Sequence, residues 1–284
     1  MIAFASNSLL CRAALKHTSI DAASFTVVRV FSGAVALCLL MNLRRMIQAT
    51  QSVGIGGNWI SAIALLLYAA GFSFAYVAVA AGTGALLLFG AVQVTMILWG
   101  FHKGERLRAI QILGLSVAIT GLVVLLFPGL SAPPLFGSIL MGAGVAWGVY
   151  SLRGKREKNP VAATAGNFLR AVPFAAVVSI VFLRLLNVDL AGVLYAVISG
   201  AITSGFGYVI WYSVLPSLKA TSAASVQLSV PVVTAAGGIL LLGEPLTLRY
   251  VLASVAILGG IALVVLEKNR PHSDPCDSRL DVRQ

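Results

Sequence analysis

Long apolar runs, broken only by short polar or basic turns, fill this chain. Read by sequence count they lie at about 1–16, 22–43, 57–80, 82–102, 108–127, 134–153, 161–186, 190–215, 219–243 and 246–266. Most approach or exceed the roughly 20 residues that an α-helix needs to cross a hydrocarbon core about 30 Å thick. Lipid offers no partner for backbone N–H and C=O groups, so only helices or closed barrels span it. These runs are continuous rather than alternating, which selects helices over a barrel. An all-α integral membrane protein of ten transmembrane helices is expected. Hydrophobic residues make up 59% of the chain and charged residues 10%, against about 25% charged in soluble domains. Span 1 is short and has no polar lead-in, so the natural start is expected upstream of Met1. Asn7 and Arg12 interrupt the apolar region that a cleaved signal peptide would need.

The chain also states nearly the same pattern twice. Gly104-Glu105-Arg106-Leu107 returns as Gly243-Glu244-Pro245-Leu246, 139 positions later. At that spacing Ala85 pairs with Ala224, Val94-Thr95 with Val233-Thr234, and Gly121 with Gly260. At a spacing of 141, Arg12 pairs with Arg153 and Arg29 with Arg170. Two homologous halves follow, residues 1–130 and 131–267, divided at Pro128–Pro134, with a polar tail at 268–284 expected to be disordered. Five spans per half is an odd number, so the second half enters the membrane from the opposite side, as an inverted repeat. Each glycine of the repeated turn suits a left-handed helix end. Each glutamate is expected to favour the positive end of the helix that follows, and Pro245 to fit a first helical turn.

The net charge of +11 is distributed by face. With the N-terminus inside, the inner connections collect Arg44, Arg45, Lys103, Arg106, Arg108, Arg153, Lys155, Arg156, Lys158 and Lys219, and the tail adds more. The outer connections hold Lys16, Arg184 and Arg249. This is the positive-inside asymmetry and puts both termini in the cytoplasm. A nucleic-acid binder would gather its charge on one face, so no nucleic-acid partner is expected. Cys11, Cys38 and Cys276, and His17, His102 and His272, are scattered, without metal-ligand spacing. No Gly-x-x-x-x-Gly-Lys-Ser/Thr loop is present. Neither a cofactor nor a metal is implied.

Several short motifs, in order, resemble the drug/metabolite transporter superfamily, in its ten-span type built from two EamA domains. The first span has Phe4-Ala5-Ser6-Asn7 and then Arg12; the second has Phe25 to Arg29. The second half has Ala146-Trp147-Gly148-Val149-Tyr150, a basic loop to Pro160, and Tyr208-Val209-Ile210-Trp211-Tyr212. It continues with Ala224-Ser225, Pro231-Val232-Val233 and Leu240-Leu241-Leu242-Gly243-Glu244-Pro245-Leu246. Two positions depart from the family: Val92 stands where the fourth span has proline, and Phe4 where the first span commonly has tryptophan. The resemblance implies a central cavity lined by spans 1 to 4 and 6 to 9, with spans 5 and 10 peripheral.

Within those spans the polar and aromatic groups are Asn7, Tyr76, Gln93, Trp147, Tyr150, Asn167, Tyr208, Trp211 and Gln227. A buried amide in lipid needs a partner, so Asn7, Gln93, Asn167 and Gln227 are expected to face inward, as substrate lining or as helix-to-helix glue. Asn7, Tyr76, Gln93, Tyr150, Tyr208 and Gln227 are the candidate substrate-binding set. Tyr208, Trp211 and Tyr212 share a helical face. For Trp211 and Tyr212, near the inner end of their span, position favours an interfacial belt. Arg29 and Arg170, about two turns inside their spans, are candidates for reading a charge or holding a gate, the alternative being snorkelling to the interface. Pro173 and Pro231 are candidate hinges. Gly200 with Ser204, and Ser225 with Ser229, follow a small-xxx-small pattern. All nine carboxylates lie in loops, at span ends or in the tail.

The sequence therefore points to a secondary transporter of a small organic solute in the cytoplasmic membrane, with the lipid bilayer and that solute as partners. An amino acid or related metabolite, moved outward, is what the resemblance implies. A membrane enzyme acting on a lipid or prenyl substrate would need acids or histidines gathered at one interface, and these are dispersed. A non-transporting partner subunit is permitted by the small-residue faces but not singled out by them.

Overall fold

The computed structural model describes residues 1–48, 54–104, 108–126, 133–155, 157, 159–214, 227 and 229–267. The described residues are helical, with no strand among them. The helices are α1 (Ile2–His17), α2 (Ala22–Gln48), α3 (Trp59–Tyr76), α4 (Ala81–His102) and α5 (Ala109–Leu126), followed by α6 (Pro134–Gly154) and α7 (Pro160–Val181). Then come α8 (Leu190–Val214), α9 (Ser229–Leu242) and α10 (Leu248–Glu267). By length and composition α2, α3, α4, α6, α7, α8 and α10 can cross a membrane, and α5 and α9 are shorter apolar helices. Three ends differ from the sequence expectation. The second run continues to Gln48 rather than ending near 43, the third stops at Tyr76 rather than near 80, and the seventh stops at Val181, followed by a 3₁₀ turn at Leu183–Leu185. Glu105, Ser225, the basic residues Arg106, Arg156, Lys158 and Lys219, most of the 128–134 divide and the 268–284 tail lie outside the described residues.

Local chemistry sets the helix starts. Asn58, Asn159 and Asp189 each accept a hydrogen bond from a backbone N–H in the first turn of the following helix. Pro134 and Pro160 occupy first-turn positions, where a missing N–H costs nothing. Asp21 starts α2, accepting from the N–H groups of Ala23 and Ser24, and also ties the chain to Asn187 before α8. Partial burial pushes its carboxyl pKa up, but hydrogen bonds from Ser24, Asn187 and Ala23 outweigh this and hold it below the usual carboxylate value. Gly104 and Gly243 have positive φ of 91° and 61°, as the repeated turn requires. Pro245 lies in the loop before α10, outside its first turn.

The packing is inverted relative to a soluble protein. Large apolar side chains face outward, such as Phe31 (56% exposed) and Leu39 (63%), while Asn7, Gln93 and Arg29 are buried. That is the arrangement lipid imposes, since apolar faces are at home in hydrocarbon and polar groups are not. α5 packs chiefly on α10, and this pair meets the rest mainly through α4. The remaining helices pack as α3 on α6, α4 on α6, α2 on α7 and on the middle of α8, and α1 on α9 and α8.

Close approach of α5 and α10 depends on Gly114 and Gly260. A Cβ on either would run into the other's carbonyl oxygen, and one at Gly260 would also meet the Ala118 amide. Neighbouring Gly259 faces open space. Gly260→Ala is expected to destabilise the detergent-solubilised protein by about 1–3 kcal/mol, the usual cost of overpacking, seen as a lowered midpoint in thermal unfolding. Gly259→Ala should leave the midpoint unchanged or slightly raised. Equal effects of the two would contradict this packing.

Candidate functional site

The middle of α8 departs from α-helical winding: Ile198–Phe206 is π-helical. Such wide turns are uncommon and concentrate at functional sites. This one carries Ser199, Gly200, Thr203 and Ser204 against α1 and α2. Gly200 lets the two backbones touch, because a Cβ there would collide with the Arg29 carbonyl and the Ser32 hydroxyl.

A polar junction forms where these helices meet α3. Ser199 Oγ donates to Asn7 Oδ1 at 2.5 Å; Thr203 Oγ1 lies 3.2 Å from the same oxygen, and its one proton has a shorter acceptor in the Ser199 carbonyl at 2.7 Å. Asn7 Nδ2 donates to Tyr68 Oη at 3.1 Å. The same oxygen accepts from Arg29 Nη2 at 3.1 Å, while Arg29 Nε donates to Ser204 Oγ at 3.3 Å. The guanidinium lies over the Phe72 and Tyr68 rings, 4.7 and 5.2 Å from their centroids. Arg29 is 2% exposed, so it does not snorkel, and it is the one charged residue in the buried class among the described residues. Its Nη1 makes no hydrogen bond.

Aromatic rings wall this junction. Trp147 packs on Tyr68 (4.7 Å), Tyr208 (4.8 Å), Tyr150 (5.5 Å) and Phe4 (5.8 Å). Trp211 meets Phe4 at 6.0 Å, and Tyr212 meets Tyr150 at 6.1 Å. Trp211 and Tyr212 are 5% and 2% exposed, so the interfacial-belt expectation is corrected: both point into the bundle. The hydroxyls of Tyr208 and Tyr212 and the indole N–H of Trp211 are buried without a hydrogen-bond partner.

The other candidates lie apart from the junction. Gln93 Nε2 donates to Gln227 Oε1 at 3.3 Å, a buried amide pair joining α4 to the approach to α9. Tyr76 stacks on Phe72 and reaches the Ala81 carbonyl at the start of α4. Pro173 is inside α7, and Pro231 is buried near the start of α9 as described.

Arg12 and Arg153, 141 positions apart in sequence, fasten opposite ends of α3. At its C-terminal end, Arg12 Nη1 donates to the Tyr76 and Val77 carbonyls, both at 2.9 Å, and Arg12 Nε pairs with Glu244 at 3.4 Å. Glu244 also accepts from the Ala81 N–H, at 2.9 and 2.8 Å to its two oxygens. Its carboxylate therefore serves the start of α4 rather than α10, a correction to the sequence expectation. At the N-terminal end, Arg153 donates to Ser61 Oγ (3.0 Å) and Asn58 Oδ1 (3.1 Å). Asn167 accepts from the Asn58 N–H, and Arg170 donates to the Gly56 carbonyl at 2.7 Å. Arg170 is thus committed to the backbone before α3, unlike its counterpart Arg29.

Tyr68, Ser199 and Thr203 escaped sequence reasoning, and Ser204 entered it only as a small residue. The available signal was a run of hydroxyls, Ser199, Thr203 and Ser204, inside an apolar span. Tyr68→Phe would strip Asn7 and Arg29 of their shared acceptor. It should cost at least about 1–3 kcal/mol, more where a charge is left unpaired. Tyr208→Phe removes a hydroxyl that bonds nothing and should leave the thermal midpoint near wild type. Matching losses for the two variants would contradict the assigned network.

Residues 136–266 match the model of the EamA-like transporter family. An uncharacterized protein of Pseudomonas aeruginosa is 57% identical over 266 residues, covering 93% of this chain and 91% of that one. A probable amino-acid metabolite efflux pump of Escherichia coli is 25% identical over 270 residues, covering 85% and 90%. One solved structure covers 95% of this chain and 98% of its own at 19% identity with a TM-score of 0.65, a likeness of fold alone.

Proposed function

We propose that this chain, which belongs to the EamA-like transporter family of the drug/metabolite transporter superfamily, is a secondary carrier working by alternating access. Its cargo is a small organic solute, an amino acid or related metabolite, moved outward across the cytoplasmic membrane. Ten spans form two inverted repeats, residues 1–130 and 131–267, with both termini and the 268–284 tail in the cytoplasm. The family supports a transporter, and one relative supports the solute class and direction: the similar Escherichia coli protein is a probable amino-acid metabolite efflux pump.

The observation that carries the reading is the closed polar junction. Ion and solute pathways are where a bilayer protein keeps buried polar groups, because burial without a task is costly. Here α1, α2 and α3 from the first half meet α8 from the second around Asn7, Arg29 and Tyr68. Solute sites at repeat interfaces near the midplane are the pattern of inverted-repeat carriers. The fastenings at the two ends of α3 support an occluded state. In this reading, opening outward releases Arg12 from Glu244, and opening inward releases Arg153 and Arg170 from the approach to α3. Pro173 and Pro231 serve as hinges.

Asn7, Tyr150 and Tyr208 line the solute path at the junction, Tyr76 borders its outer end, and Gln93 and Gln227 line it along α4 and α9. Each glutamine presents an amide that can exchange its partner for solute. Solute flux into vesicles holding the purified protein tests this. Gln93→Ala and Gln227→Ala should each lower the ratio of rate to half-saturating concentration about fivefold, the worth of one hydrogen bond of about 1 kcal/mol. If both folded variants kept wild-type affinity and rate, that lining would be wrong.

A further inference from the structure

The junction also restricts the charge of what it can hold, and this inference rests on the carrier reading above. Arg29 Nη1 and Trp211 Nε1 are unpaired and can only donate, while Tyr208 Oη can donate or accept. The amide and phenol acceptors are already engaged: Asn7 Oδ1 takes the Ser199 hydroxyl and Tyr68 Oη takes Asn7 and Arg29, which leaves only neutral hydroxyl oxygens as acceptors. Among the described residues no Asp or Glu is buried. A guanidinium buried without an acid beside it keeps a desolvation cost that an anion is best suited to offset.

We infer that, of the amino acids and related metabolites of that reading, the solute is a related metabolite lacking the ammonium: a small organic anion with an aromatic or flat apolar body, its carboxylate held by Arg29 Nη1. A guanidinium suits a carboxylate, and its Nη1 is unpaired. The body lies among Phe4, Trp147 and Tyr208, whose rings already pack edge-on and tilted about the guanidinium's neighbour Tyr68. A cation would face Arg29 with no carboxylate to meet it. A zwitterion would gain the carboxylate contact but bury an ammonium whose hydrogen bonds have no vacant acceptor of comparable strength.

Four probes sharing one body separate these cases: 3-phenylpropionate, L-phenylalanine, phenethylamine and 3-phenylpropanamide. Binding to the purified full chain is measured by calorimetry, and transport by counterflow in vesicles. The expected order places 3-phenylpropionate first, at least about tenfold tighter than each of the others. Arg29→Gln should abolish that preference, and Arg29→Lys, which keeps the charge but not the fork, should retain part of it. If Arg29→Gln fails to fold, the wild-type order and Arg29→Lys decide. Equal or tighter binding of the amine, the amide or the amino acid overturns the inference. So does binding of none of the four, or an undiminished anion preference in folded Arg29 variants. Anion-ordered binding without counterflow of any probe would sink the carrier reading and leave this one intact. Counterflow of phenethylamine would do the reverse.

Discussion

A guanidinium buried in an apolar bundle without an acid beside it is the constraint around which this molecule is arranged. Arg29 cannot reach water, so oxygens must be brought to it from other helices. Tyr68 comes from α3 and Ser204 from α8, and the aromatic faces of Tyr68 and Phe72 supply further stabilisation. The local widening of α8 and the bare backbone at Gly200 follow from this demand. Together they bring three hydroxyls of one helix against α1 and α2. The arrangement satisfies part of the guanidinium's hydrogen-bonding capacity and leaves one nitrogen without a partner, a cost that calls for an explanation.

The ends of the bundle are held differently. Arg12 and Arg153 lie 141 positions apart in sequence, yet both act on α3, one at each end. Their fastenings use backbone carbonyls, a cap residue and one exchangeable ion pair, contacts each worth little more than a single hydrogen bond. A bundle whose centre is bonded tightly and whose ends are bonded by a few replaceable contacts can open at either end without dismantling its middle. The lipid-facing crossing of α5 and α10, sealed by Gly114 and Gly260, stands outside that exchange.

Much of the fold was legible because lipid allows so few solutions: apolar run length located the helices to within a few residues, and two glycines marked the left-handed turns. By sequence Arg29 and Arg170 had the same standing, since equal depth in two apolar runs says nothing of neighbours. One is buried against aromatic rings; the other is bound to the Gly56 carbonyl. Trp211 and Tyr212 read as a belt because they lie near a span end, but which face of a helix points inward is fixed by packing, not by depth. Glu244 shows a related limit. A carboxylate after a glycine turn is expected to serve the next helix, whereas the tertiary fold hands it to Ala81, 163 positions away. Tyr68 went unnoticed because one tyrosine in an apolar span has many ordinary explanations.

The central claim is that this closed junction opens while the protein stays folded. Cys11, on α1 one turn beyond Asn7 and 0% exposed, reports on it. In native membrane vesicles, with Cys38→Ala and Cys276→Ala removing the other thiols, the measurement is the rate at which N-ethylmaleimide modifies Cys11. Alternating access predicts steady modification of folded protein, at a rate that a bound solute changes. A thiol that stays unmodified until the protein is unfolded would contradict it and leave a static bundle.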